Sequence, residues 1–358
     1  MIGTVTGFRV FLRVVPARRP VPAAARAVGL LAATWLALAP TAQAARAYVS
    51  NEDDGTVTVV DTQHLATLAT VTVGKRPRGL ALSHDGKRVY VALSGLPKCP
   101  PPMSDEDCAR LPRDRSADGI AVIDTAQLRV VTVLRGVSDP ERVDVSRDGH
   151  TLFVSEEDAG RLAVIDVARG AVRTTLAAGR EPEGIRIAPS GRWVLASSEE
   201  ENTLAIVDAR ACTLISRVEV GKRPRDIAIS PDSGSAYVSG EADASVYRVA
   251  LPSGPATRLI ELPGGARPMG VALDGAGRLF VSTGRAGKVA VISVADAKLL
   301  TQIDVGGRPW GIALTERGTR LVSANGPSGD AALIDTHSLS VIGKVSTGHG
   351  PWGVAAEP

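Results

Sequence analysis

A proline set in a turn returns along this chain at Pro77, Pro140, Pro182, Pro224, Pro268, Pro309 and Pro351. The steps are 63, 42, 42, 44, 41 and 42 residues, so one is long by about half a repeat and the others are nearly constant. The surrounding residues return as well: VGKRPRG at 73–79 reappears as VGKRPRD at 220–226, with GGRPWG at 306–311 and GHGPWG at 348–353 as later relatives. A fixed period of this length marks stacked supersecondary units. Within each unit the apolar runs are short, rich in Val, Ile, Leu and Ala, and bounded by Asp-Gly, Ser-Gly or Asp-Thr turns. Such runs read as strands. No segment beyond the first 44 residues sustains a helical period. Four short strands per unit, repeated seven times, predict an all-β fold, a seven-bladed β-propeller with four-stranded antiparallel blades over residues 45–358.

The two ends of that region complement each other. It begins on a second strand (ARAYVSNEDDG, from Ala45) and finishes on a first strand (GPWGVAAEP, to Pro358). The C-terminal strand is therefore expected to complete the N-terminal blade and close the ring, which pairs two edges that an open solenoid would leave exposed. The chain has neither the Trp-Asp dipeptide of WD repeats nor a regular Gly-Gly pair of the kelch type. AYVSN (47–51), RVYVA (88–92), TVTVVDT (56–62) and GIAVIDT (119–125) resemble the repeat of the YVTN β-propeller family. The succession RPRG, DPE, EPEG, RPR, RPWG and GPWGV is similar to the branch associated with PQQ-dependent alcohol catabolism. The resemblance spans residues 45–358. It implies the propeller fold and, more loosely, a supporting role in periplasmic oxidation.

Strand direction sorts the loops. Taking the face where first strands begin as the top, the proline turns and the connections between second and third strands lie there. First strands run nearest the axis, so the residue after each proline should ring the channel mouth, its approach stiffened by the fixed proline φ. That ring reads Arg78, Glu141, Glu183, Arg225, Met269, Trp310 and Trp352, and it is the expected ligand-binding or partner-binding surface. Arg76, Asp139, Glu181, Arg223, Arg267 and Arg308 flank it. A recurring Ser-x-Glu adds Glu52, Glu157, Glu199 and Glu241, so Glu141, Glu157, Glu183 and Glu199 form an acidic arc facing an aromatic arc. Hard cations favour such oxygen clusters, making a divalent cation the candidate cofactor, and a cation or quinone-like ligand could lie on the tryptophans. The bland alternative is that the glutamates pair with arginines across blades and the tryptophans plug the channel.

An insertion at residues 93–118 interrupts the second repeat and rises on the same face. It carries five prolines together with Cys99 and Cys108, which are expected to form a disulfide stiffening a cover or docking edge. Cys212 lies in an apolar alternating run and is expected to be a small buried side chain.

The first 44 residues have five arginines and no acid, an apolar stretch at 27–39, and then Ala42-Gln43-Ala44. That order is expected of a secretory signal peptide and places the protein in the periplasm or outside the cell. The 13-residue apolar stretch is short for a span, which needs about 20 residues. Without this leader, 36 basic residues face 38 acidic ones, so the basicity of the whole chain belongs to the leader and gives no global attraction for nucleic acid. Aromatic residues make up 3% of the chain, too few for a series of stacking platforms for single-stranded nucleic acid.

Established catalytic signatures are absent: C-x-x-C-H, H-E-x-x-H, G-x-S-x-G and the phosphate loop do not occur. His349 is the one histidine assigned to the top face. The expected function is that of a monomeric, non-enzymatic propeller binding a small ligand or a periplasmic protein. A lactonase-like hydrolase with a metal at the acidic arc, and single-stranded nucleic-acid binding through the Arg-Pro-Arg turns, are the two alternatives.

Overall fold

A computed structural model describes Gly7 and residues 9–17, 45–99 and 103–358. Two compact units are distinguished, Met1–Gln43 and Ala44–Pro358. In the first, the described residues form no regular secondary structure; the rest of the expected leader lies outside the described residues. No helix among the described residues is long and apolar enough to cross a membrane.

The second unit contains seven four-stranded sheets. Blade 1 joins Pro351–Ala356 to Arg46–Asn51, Thr56–Asp61 and Ala66–Thr72. Its inner strand is thus the last one of the chain, paired antiparallel with the first, Ala47 opposite Ala356 and Val49 opposite Val354. Blade 2 runs Pro77–Leu82, Arg88–Leu93, Gly119–Asp124 and Arg129–Leu134, and blades 3 to 7 follow in chain order. Inner strands touch those of both neighbours all the way round. The ring is closed.

The core is divided among the blade interfaces. Seven apolar clusters each join two neighbouring blades, for example Tyr48, Val57 and Val59 with Val89, Val91 and Ile123 between blades 1 and 2, and Val49 and Val60 with Val322 and Leu333 between blades 1 and 7. Middle strands alternate apolar residues that are buried on both faces, whereas outer strands such as Ala66–Thr72 are mostly exposed. The bottom turns follow from their polar residues. Asp61 accepts the N–H groups of Gln63 and His64, and Asp124, Asp208 and Asp335 repeat the arrangement in their blades. An aspartate that satisfies the backbone two and three residues on is what ends a strand in a tight turn.

The Ser-x-Glu serines fasten blade to blade. Ser50 donates to the carbonyl of Arg78 in the next blade at 2.6 Å and accepts the N–H of Gly353 in its own at 2.9 Å. Ser155, Ser197 and Ser239 do the same toward Glu183, Arg225 and Met269, and Ser282, at the same place in blade 6 but outside the motif, does so toward Trp310. A hydroxyl both donates and accepts, so one buried side chain fixes the carbonyl of each of these ring residues.

Cys212 corrects an expectation. It sits half-buried in the turn between Thr203–Asp208 and Thr213–Glu219 with φ of 52°, and Arg173 donates to its sulfur at 3.0 Å. The alternating run is broken by the turn that follows Asp208, and Cys212 is the last residue of that turn.

Candidate functional site

The proline turns have a shared backbone geometry. The residue before the proline is left-handed at Arg76, Asp139, Glu181, Arg223 and Arg308, with φ between 40° and 52°, and Gly350 takes the same place in blade 1. Proline disfavours the helical region for its predecessor, and a left-handed non-glycine residue costs on the order of 1–3 kcal/mol. Immediately after the proline, six of the seven inner strands shift register against their neighbour. Such bulges turn a side chain out of the pleat. The ring residue is the one turned.

Six of the seven ring residues then converge. Arg78, Glu141, Glu183, Arg225, Trp310 and Trp352 line a cavity of about 380 Å³ on the top face. Leu96, Pro97, Lys98, Cys99, Cys108 and Arg113 of the insertion form part of the same wall. The insertion therefore borders the ring's cavity, and the Cys99–Cys108 disulfide, with Cα atoms 5.6 Å apart, ties two of these wall residues together. Met269 is buried away from the cavity, because blade 6 has a shortened inner strand, Val271–Leu273, that begins after it. Glu157 lines the cavity. Glu199 is buried behind Arg225 and does not.

The acidic arc is threaded by two arginines. Arg78 bonds Glu141 and, at 2.5 Å, Glu157, with Asp139 at 3.8 Å. Arg225 bonds Glu183, Glu199 at 2.5 Å and Glu241 at 2.7 Å. Burial works against both guanidiniums, but the surrounding carboxylates hold them charged. Each glutamate proposed as a metal ligand thus already has an arginine partner. Among the described residues no group of three or more His, Cys, Asp or Glu side chains is arranged to hold a metal ion. The Arg-Pro-Arg turns are committed likewise, since Arg76 bonds Glu52 at 2.8 Å and Arg223 bonds Glu199.

More carboxylates meet here than arginines can neutralise, and two hold protons near neutral pH. Burial, with the like charge of Glu183, pushes Glu157 up to about 7 and Glu199 up to about 8, against the pull of Arg78 and Arg225 respectively. Glu183 shares a hydrogen bond with Glu199. Burial would raise Glu183 as well, but Arg225 and that bond hold it below its ordinary value. One carboxyl of the pair carries the proton and the other the charge, as two acids in one dry site must.

The tryptophans do stack, with centroids 5.9 Å apart and planes 24° apart. Neither ring is a bare platform. Arg308 lies over Trp310 at 4.7 Å and Arg142 over Trp352 at 5.0 Å. Arg142 belongs to a charged layer lower in the channel that motif reading missed. Arg142 and Arg186 each approach the buried Asp226 at 3.5 Å, and Asp144 accepts the N–H of Ile187. Burial would raise Asp226, but Arg142 and Arg186 lower it, while burial dominates at Asp144 and raises it. The available signal was charge inside otherwise apolar first strands, in ERVDV (141–145), PEGIRI and PRDIAI.

A family model described as YNCE-like beta-propeller matches residues 105–189. The chain belongs among the β-propellers. No curated protein matches it. Among solved structures, this propeller is similar to hydrazine synthase of Kuenenia stuttgartiensis, at 18% identity and TM-score 0.68, covering 81% of this chain and 92% of that one. A functionally unknown protein from Desulfotomaculum acetoxidans is similar at 17% identity and TM-score 0.70, over 87% and 98% of the two chains. A candidate 6-phosphogluconolactonase from Bacteroides uniformis is similar at 14% and 0.70, over 88% and 100%. These likenesses are likenesses of fold.

Proposed function

We propose that this propeller is an exported, non-enzymatic binding protein whose top-face cavity takes a small ligand. The observation that carries the reading is the cavity itself: six ring residues from different blades face one space of about 380 Å³, walled in part by a disulfide-bonded insertion. That volume suits a small-molecule site, and concavity with a few placed polar groups is what such sites share. The leader-like first 44 residues and the disulfide support export. The repeat's resemblance to propellers of PQQ-linked alcohol oxidation supports a place beside periplasmic oxidation chemistry.

The test is thermal unfolding of the oxidised protein against a panel of PQQ, small organic acids, divalent cations and short single-stranded DNA. A ligand at 100 times its Kd stabilises by about 2.7 kcal/mol, which raises the midpoint by several degrees. The shift is expected with a small molecule and should disappear in Trp310→Ala. A shift with DNA alone, or one indifferent to Trp310, would refute the assignment.

One observation favours hydrolysis as a second reading. Glu157 lines the cavity with its carboxyl pushed up to about 7, the range in which a side chain delivers a proton efficiently. Lactone turnover that is lost in Glu157→Gln would establish it.

A further inference from the structure

The lining carboxylates and cations of the cavity are equal in number but unevenly paired, because Arg78 alone serves three carboxylates. Six carboxylates line it, and each has a cation within 4 Å. Glu52 meets Arg76 and Lys98, and Asp139, Glu141 and Glu157 meet Arg78. Asp158 meets Arg113 and Arg115, and Glu183 meets Arg225. Of the lining cations, Arg308 alone has neither a carboxylate nor any side-chain hydrogen bond among the described residues. It is half-buried; burial and the like charges of Arg285 and Arg225 act against its charge, and Glu241 and Glu52 favour it without forming an ion pair with it. A half-buried guanidinium with no carboxylate at ion-pair distance among the described residues is an unmet demand for an anion. The Nε of Arg78, buried in the same wall, also donates to nothing.

A cationic guest finds the opposite situation. The aromatic faces that would attract it already carry the guanidiniums of Arg308 and Arg142. The nearby carboxylates are already ion-paired.

We infer that the top-face cavity selects small organic carboxylates: the carboxylate seats on the guanidinium fork of Arg308, and the apolar body lies against Trp310, Leu96 and Pro97. Arg308 is then the specificity-determining residue. Its planar fork matches a carboxylate with two parallel N–H···O bonds. The inference rests on the top-face cavity being a ligand site, and it adds the charge class of the ligand.

Three probes of one shape separate the two claims: benzoate, benzamide and benzamidine, followed by calorimetry and tryptophan emission on the full-length oxidised protein. Benzoate is expected to bind at least tenfold more tightly than benzamide, with benzamidine weakest. Arg308→Gln, checked for an unchanged melt, should erase the difference between benzoate and benzamide. If benzamide or benzamidine equals or exceeds benzoate, the cavity is a ligand site and the selection of anions is overturned. If none of the three binds, both the selection and the small-ligand reading fall. The ranking on the unmodified protein decides this even where the variant does not fold.

Discussion

Glu199 shows how a single side chain ties this site to pH. It is buried against Arg223 and Arg225, shares a hydrogen bond with Glu183, and is pushed up to about 8. Glu157, against Arg78, behaves alike at about 7. In the unfolded chain both titrate near the ordinary glutamate value of about 4.3. Between those values the folded state holds more protons than the unfolded one, so stability falls as pH rises. Their contribution is complete below about pH 4, declines through pH 7–8 and is gone above. The midpoint of thermal unfolding is therefore expected to drop from pH 5 to pH 9, and Glu199→Gln should flatten that slope. An identical slope in the variant would remove Glu199 from the account. None of this was legible in the sequence. The Ser-x-Glu repeat placed these glutamates on the right face, but which arginine each meets depends on side-chain reach across a blade interface.

The proline turn is the element in which sequence and structure agree most closely, and also where the fold carries strain. Periodicity located the turns, and the conserved direction of the inner strands put the residue after the proline at the mouth. Spacing could not reveal that the preceding residue is left-handed. Charged residues occupy that conformation in five blades, whereas blade 1 uses Gly350, the residue type suited to it. Glu181 makes no side-chain bond among the described residues, so its strain is uncompensated there. Glu181→Gly is expected to stabilise the propeller by about 0.5–1 kcal/mol, the relieved strain being partly offset by the extra freedom of glycine in the unfolded chain. Differential scanning calorimetry would register this as a midpoint higher by about 1–3 °C; a lower midpoint would mean that the turn holds Glu181 for a contact of its own. Blade 6 escaped the same reading. Its proline keeps the period, but the following strand is reduced to three residues and Met269 leaves the cavity.

For the whole molecule, the ring is only as sound as its seam. The strand Pro351–Ala356 supplies the inner edge of blade 1, buries Trp352 and Ala355, and anchors Gly353 on Ser50 across a sequence separation of 303. Its removal leaves Arg46–Asn51 with an unpaired edge and opens the apolar cluster between blades 1 and 7. A chain ending at Gly350 is expected to lose its cooperative melt and to appear as aggregate in sedimentation, since open strand edges recruit one another. A sharp melt at an unchanged temperature would show that the other six blades suffice. This closure was readable from the two half-blades at the ends of residues 45–358, because a missing strand and a surplus strand of matching type leave one solution.

The same seam runs through the cavity. Glu52 and Trp352 come from blade 1, Arg76 and Arg78 from blade 2, and Arg308 and Trp310 from blade 7. During synthesis, the ribosome makes Glu52 among the first residues of the propeller and Trp352 among the last. No partly translated chain can own a finished pocket. The pocket is thus completed only when both ends of the propeller sequence have met in one blade.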